Sequence, residues 1–297
     1  MPGQVLDFTG YRGTITSDRG CLIVDNREVP LADVDVILLG DHCQWGFGLV
    51  HHAVKFDVTV LVCDWTNNPI ATLSFPGSNT RIGTRARAQL DLGLSRRKSA
   101  WKNIVQSKVK GQARVLQYVG SPRAKFLMAL ASKVRSGDPE NVEGQAAHFY
   151  WREVFSTFDP AFVRRQRTRT SINGMLDYGY TVLRGFVNRS IHMAGLQPIL
   201  GIFHHGRENA TPLADDLIEP FRPAIDLAVV NLLEQGIHEI NANARRELVG
   251  VTRSHLFSND ESVGTSIQGF AQHFANYVEG TVKMLRVPHL RNTGNDG

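Results

Sequence analysis

Residues 204–223, HHGRENATPLADDLIEPFRP, set two adjacent histidines, His204 and His205, beside the carboxylates of Asp215, Asp216 and Glu219. Thr211 followed by Pro212 has the pattern of an N-cap and a first helical residue, which would put these acids on a helix. Asp215 and Glu219 are four apart, and Asp216 and Glu219 three apart, so either pair would share a helix face. Pro220 falls where a helix interior excludes proline, and a kink or a tightened turn is expected there. Carboxylates stacked in this way repel and raise one another's pKa, and a divalent cation relieves that penalty. The same residues would also make an ordinary helix start, with acids at the positive end of the dipole.

Glu143 is the other acid in an unusual setting. Its neighbours at i+3, i+4, i+7 and i+11 are Ala146, Ala147, Tyr150 and Val154, so it shares the apolar face of its helix. A carboxylate turned toward a core is costly unless it is ion-paired, for instance with an arginine, or bound to a metal. Two carboxylates and one imidazole form an oxygen-rich set that suits Mg²⁺ or Mn²⁺, the imidazole favouring Mn²⁺. The chain has no H-E-x-x-H and no cysteine ligand set, which sets aside zinc protease and zinc finger chemistry. His51, His52, His148, His192, His238 and His255 have no acid at a useful spacing and read as structural or surface residues.

The elements that must position these groups fall into two kinds. Residues 1–75 read as strands: CLIVD, DVDVILLG and DVTVLVCD are short Val, Ile and Leu runs bounded by Asp, Gly and Asn. CQWGFGLVHHAVKF between two of them reads as one short helix. SFPGSNT, residues 74–80, is a linker. Beyond it the period becomes helical. In AWKNIVQSKVKGQARVLQYVG, Trp101, Ile104, Val105, Gln112, Val115 and Leu116 share one face, with Lys102, Lys110 and Arg114 largely on others. In SGDPENVEGQAAHFYWREVF, Gly137 closes the preceding segment, Asp138 is placed to cap and Pro139 to open the helix. INGMLDYGYTVLRGFVNRSIHMAG and AIDLAVVNLLEQGI are further helices. The expected class is α+β: a small β-rich N-terminal domain (1–75), a linker (76–80), a larger all-α C-terminal domain (81–290) that carries the candidate site residues and a disordered tail (291–297).

The net charge of +5 hides an asymmetry. Residues 1–75 carry nine acids and four bases, whereas residues 81–135 carry fourteen Lys or Arg and one acid, Asp91, a local charge of +13. Such a stretch calls for a polyanion. Arg81, Arg85, Arg87, Lys102 and Lys108 within it, and Arg164 and Arg165 in the run 164–170, are the expected DNA contacts. A divalent-metal site beside such a segment points to phosphodiester chemistry. The alternative is a DNA-binding scaffold whose acids are only structurally paired. Cys21, Cys43 and Cys63 are dispersed, as suits a reducing cytosol. No apolar run approaches a membrane span and residues 1–20 carry no signal-peptide pattern, so a cytoplasmic location is expected.

SGDPENVEGQAAHFYW, INGMLDYGYTVLRG, LQPILGIFHHGREN and LADDLIEPFRP, in this order, resemble the signature blocks of the CRISPR-associated integrases of spacer acquisition, the Cas1 family. WKNIVQSKVKGQARVL and VPLADVDVILLG resemble further blocks, and the compact size and the DLIEPFRP form look most like the type II branch. One departure is Asp177 in DYGY, where many members have Asn. The resemblance implies a homodimer with an N-terminal β-domain and a C-terminal α-domain. It implies one Mg²⁺ or Mn²⁺ per site held by Glu143, His204 and Glu219, which would be the catalytic residues, with Asp216 and His205 in support. It further implies a heterohexamer in which two dimers join the Cas2 protein and hold double-stranded DNA. A 3′-hydroxyl of this captured fragment (the protospacer) then attacks the CRISPR repeat by transesterification.

Overall fold

The computed structural model describes residues 4–73, 79–166, 171–204, 206 and 208–292. Its first part is β-rich, with strands β1 (Gln4–Phe8), β2 (Gly13–Asp18), β3 (Cys21–Val24), β4 (Arg27–Pro30), β5 (Val34–Leu39) and β6 (Cys43–Trp45), helix α1 (Phe47–Lys55), and strands β7 (Thr59–Cys63) and β8 (Pro69–Leu73). They form two four-stranded sheets, ordered β1-β5-β7-β8 and β4-β3-β2-β6. β1, β5 and β7 run parallel, and β8 is antiparallel to β7. In the second sheet β3 is antiparallel to both β2 and β4, and β6 is parallel to β2. CLIVD, DVDVILLG and DVTVLVCD are β3, β5 and β7, and the segment CQWGFGLVHHAVKF holds α1 behind the short strand β6.

The apolar run Val36–Leu39 of β5, which follows Asp35, has a physical reason. All six residues of the strand are buried. Ile37 and Leu39, with Val60 of β7, face a core shared with Ile15, Leu22 and Leu49. Val36 and Leu38, with Leu61 and Cys63, belong instead to the core of the helical part. A sheet covered on both faces reads as an unbroken hydrophobic stretch rather than an alternating one.

The helical part comprises α2 (Ile82–Leu90), α3 (Leu94–Tyr118), α4 (Ala124–Lys133), α5 (Val142–Glu153), α6 (Ser171–Met193), α7 (Pro212–Ile218), α8 (Arg222–Glu234), α9 (Ala242–Gly250) and α10 (Val263–Val278). The face of α3 expected to be apolar is buried, from Trp101 through Leu116. α6 is the central element, with 18 of its 23 residues buried. Two of its glycines let neighbours approach closely. A Cβ on Gly179 would lie 2.4 Å from Ile225 Cγ2 of α8, and one on Gly185 would lie 2.6 Å from Val36 Cγ1 of β5. α6 is thereby pressed between the parallel sheet and α8.

β8 ends at Leu73 and α2 begins at Ile82; of the expected linker, Asn79 and Thr80 are described and residues 74–78 lie outside the described residues. Asn79 is pinned, its Nδ2 donating to the Met193 carbonyl and its Oδ1 accepting from the Arg81 amide. Of the expected tail, Arg291 is held by a 2.8 Å bond from its amide to the Leu256 carbonyl, and residues 293–297 lie outside the described residues.

Candidate metal centre

Each group expected at the site is set by a different element. Glu143 lies in the first turn of α5. The helix does not start at Asp138 and Pro139 as the sequence pattern suggested. It starts at Val142, with Asn141 as N-cap in the left-handed region (φ 52°). The reason is that Asp138 folds under the helix end: its two carboxylate oxygens accept from the amides of Val142 (2.8 Å) and Glu143 (2.9 Å). Asn141 Oδ1 accepts from the Gly144 amide at 3.1 Å. Two acceptors thus satisfy the orphan donors of the turn that carries Glu143.

Glu219 opens a single 3-10 turn, Glu219–Phe221, between α7 and α8, which is the tightened turn that Pro220 called for. Asp215 and Asp216, adjacent on α7, face different partners. Asp215 pairs with Arg184 and accepts from Asn209, the role of an ordinary first-turn acid. Asp216 is fully buried. It accepts from the backbone amides of Ile202, Phe203 and His204, and from the ring of His204 at 2.7 Å through Nδ1. That bond raises the His204 pKa, with burial opposing it. It also leaves Nε2 as the ring nitrogen free to bind, the arrangement by which carboxylates orient metal-ligating histidines. His204 packs edge-on against Trp101, on whose other partner, Phe203, it also rests. Phe203 itself stacks on Trp101 at 4.3 Å. His205 lies outside the described residues.

Glu143 and Glu219 converge on one cation, the ammonium of Lys108. Its Nζ is 2.6 Å from Glu143 Oε1 and 2.5 Å from Glu219 Oε2. The sum of these distances, 5.1 Å, bounds the separation of the two oxygens. Glu219 Oε1 accepts from Arg222 Nε at 2.9 Å, and the Arg222 guanidinium stacks over Tyr180. Stacked acids were expected to raise one another's pKa. Burial does push Glu219 up, but Arg222 and Lys108 outweigh it and hold the carboxyl at about 2.

A further clamp lies two turns away from both acids. Tyr150, seven residues past Glu143 on α5, donates to Asp226 at 2.8 Å, and Asp226 is seven residues past Glu219 on α8. Tyr180 of α6 donates to the same carboxylate. Three helices are thus tied together beneath the site.

Among the described residues, no three or more His, Cys, Asp or Glu side chains are grouped so as to hold a metal ion as placed. The donor chemistry nonetheless fits one. Glu219 Oε2 is buried and turned to the cation position that the Lys108 ammonium fills at 2.5 Å. A second carboxylate converges on that same ammonium, and His204 stands close enough that its protonated form helps to lower the Glu219 pKa.

The residues expected to touch DNA divide. Arg87 and Arg165 are exposed and Lys102 is half-buried. Arg81 is paired with Glu279 at 2.9 Å. Arg85 is a correction: it is buried, donating to the Ala194 carbonyl at 2.7 Å and pairing with Glu279, because it pins α2 to the ends of α6 and α10. Lys108 is a second correction, since it faces the two carboxylates rather than solvent. Arg164 is bound to Asp177 and Asn173, so the departure at Asp177 gives that arginine its partner. Sequence reasoning missed Lys108 and Arg222 as partners of the acids, although Arg222 stands three residues after Glu219, a readable ion-pair spacing.

Residues 2–252 match the family model for CRISPR-associated protein Cas1. This chain belongs to the Cas1 family. A relative from Neisseria meningitidis, the CRISPR-associated endonuclease Cas1, is 32% identical over 286 residues, covering 92% of this chain and 91% of its own. Among solved structures, a casposase bound to integration product superposes with a TM-score of 0.80 at 20% identity, covering 100% of this chain and 96% of that one. A Cas6-RT-Cas1–Cas2 complex gives 0.78 at 20% identity, covering 99% of this chain and 36% of that one. At these identities the structural matches establish the shared fold. Among the described residues, no helix is long and apolar enough to cross a membrane.

Proposed function

We propose that this chain is a divalent-metal-dependent DNA endonuclease and integrase that inserts DNA fragments at a CRISPR repeat. The observation that carries this reading is the convergence of Glu143 and Glu219 on one cation position, beside a histidine whose Nδ1 is taken by a fully buried aspartate. Family membership supplies the reaction class, since the Neisseria relative bears the name of an endonuclease and the casposase neighbour was captured with an integration product.

Glu143, His204 and Glu219 would hold Mg²⁺ or Mn²⁺. Bound there, the ion supplies a Lewis acid for a phosphate oxygen. The chain does the rest by positioning. Asp216 keeps His204 in one tautomer and one orientation. Arg222 fixes the Glu219 carboxylate, and Asp138 with Asn141 fixes the turn that carries Glu143. No side chain is needed as nucleophile. A DNA 3′-hydroxyl attacks the phosphodiester in line, one P–O bond forms as another breaks, and the departing 3′-oxygen takes up a proton.

The partners in this reading are duplex DNA, a second copy of the chain and a Cas2 protein, the last because a Cas1–Cas2 assembly contains the same fold. Two dimers with Cas2 make the assembly, and the cytoplasm is its place of action. One observation favours the non-catalytic scaffold instead: Lys108 pairs both acids without help from a metal. It leaves the oriented imidazole of His204 without a purpose. Adding Mn²⁺ to the purified protein and a DNA duplex separates the two. Cleavage that needs Mn²⁺ and disappears in Glu143→Ala supports the nuclease; binding without cleavage at any Mn²⁺ concentration supports the scaffold.

A further inference from the structure

Lys108 is an unusual resident for such a site. Its side chain is only 12% exposed, and its ammonium lies within 2.6 Å of both Glu143 and Glu219. Mg²⁺ bound by carboxylates sits about 2.0–2.1 Å from its oxygens, so an ion held between these two acids would take the space that the ammonium now fills. The two cations would not share a buried site, where repulsion is weakly screened. Counting charges, Lys108 and Arg222 already neutralise Glu143 and Glu219. A divalent ion would therefore enter a site where both ligand carboxylates already have a cation partner.

We propose that Lys108 is a built-in competitor for the cation position: in the metal-free protein its ammonium bridges Glu143 and Glu219, and a divalent ion must displace it. This rests on the metal-site reading above and deepens it. It explains how the buried Glu219 and the half-buried Glu143 are tolerated side by side without metal, since the ammonium takes the place of the missing charge. It also means that the free protein holds metal weakly. An anionic DNA phosphate, which would offset the surplus positive charge of ion and displaced ammonium together, would then favour metal loading.

The test is a Mn²⁺ titration without DNA, by calorimetry or by the EPR signal of free Mn²⁺, on the wild-type chain and on Lys108→Met, Lys108→Gln and Lys108→Arg. Met and Gln remove the competing charge and are expected to bind Mn²⁺ at least tenfold more tightly than wild type. Arg keeps the charge and is expected to stay near the wild-type value. Without metal, Lys108→Met should melt lower by roughly 5 °C, and saturating Mn²⁺ should restore it. Should Lys108→Met not fold, Lys108→Gln serves, because its amide can still donate to a carboxylate. Unchanged or weaker Mn²⁺ binding in both neutral variants overturns the proposal, because a merely structural lysine would leave the acids worse placed, not freer. If the wild type binds Mn²⁺ and cleaves DNA while the neutral variants bind no tighter, only the role of Lys108 fails. If neither the wild type nor any variant binds Mn²⁺, the metal-site reading fails and this inference with it.

Discussion

Asp216 and Glu219 sit three residues apart and do opposite work. Asp216 gives both its oxygens to the 202–204 segment, and Glu219 turns one oxygen to Arg222 and the other to the Lys108 ammonium. Asp216→Asn should therefore weaken the site while leaving the ligand set intact. An amide offers one acceptor where three backbone N–H groups and an imidazole need two. The expected cost is ~10–100-fold in Mn²⁺ affinity, the scale for a residue that orients a ligand, and a metal titration reads it. Glu219→Ala leaves Arg222 and Lys108 facing each other in a buried space. It is expected to abolish metal-dependent cleavage and also to destabilise the fold by about 3 kcal/mol, the scale for breaking a buried pair. Denaturant unfolding checks the second effect, and a variant as stable as wild type would contradict the pairing. The sequence alone pointed to mutual repulsion among Asp215, Asp216 and Glu219. The spacing of carboxylates was legible, but the lysine more than a hundred residues earlier that pairs with Glu219 was not.

At the scale of elements, α5, α6 and α8 carry or brace the site, and the buried Asp226 ties them. Burial raises its carboxyl to about 6 although Tyr180, Tyr150 and Arg222 work to lower it. An acid whose folded pKa is raised stabilises the fold while protonated. Its contribution is therefore full below about pH 4, the ordinary aspartate value, and is lost as pH rises to about 6. Two units correspond to about 3 kcal/mol at most. Unfolding free energies of wild type and Asp226→Asn across pH 4 to 7 should diverge in that window, the variant giving the flatter profile; parallel profiles would rule this out. Close helix contact gives a second prediction. Gly179→Ala puts a Cβ 2.4 Å from Ile225 Cγ2, so α6 and α8 must separate, at a cost of ~1–3 kcal/mol. A variant that unfolds at the wild-type denaturant concentration would show that the contact relaxes freely. The helices, the short strands and the turn at Pro220 were readable from period and punctuation. The true start of α5 was not, because Asp138 caps from four residues before the helix, and a local pattern cannot show that the chain folds back.

At the scale of the molecule, the +13 segment proves to be partly an internal frame. Arg85 is buried, Arg96 stacks on Tyr277, Arg97 donates to the Leu92 and Gln89 carbonyls, and Lys108 faces the two acids. DNA binding should be salt-dependent, but with a slope shallower than fourteen charges would give at about 0.9 per phosphate contact. Arg87→Glu should lower affinity and the slope, whereas Arg85→Ala should lower the melting temperature first; the opposite pattern would place the DNA face elsewhere. Composition could reveal the surplus of charge, but not which arginines the fold consumes, because that depends on carbonyls and acids distant in sequence.

The central claim is that Glu143, His204 and Glu219 form one metal-dependent site for DNA strand transfer. Its most direct test is an integration assay with the purified protein, its Cas2 partner, a short DNA duplex with free 3′-hydroxyls and a repeat-containing plasmid, run with and without Mn²⁺. The account predicts joined product only with Mn²⁺ and only from the wild-type chain, with Glu143→Ala inactive though folded. Joining by Glu143→Ala at the wild-type level, or joining that survives chelation of the metal, would contradict it.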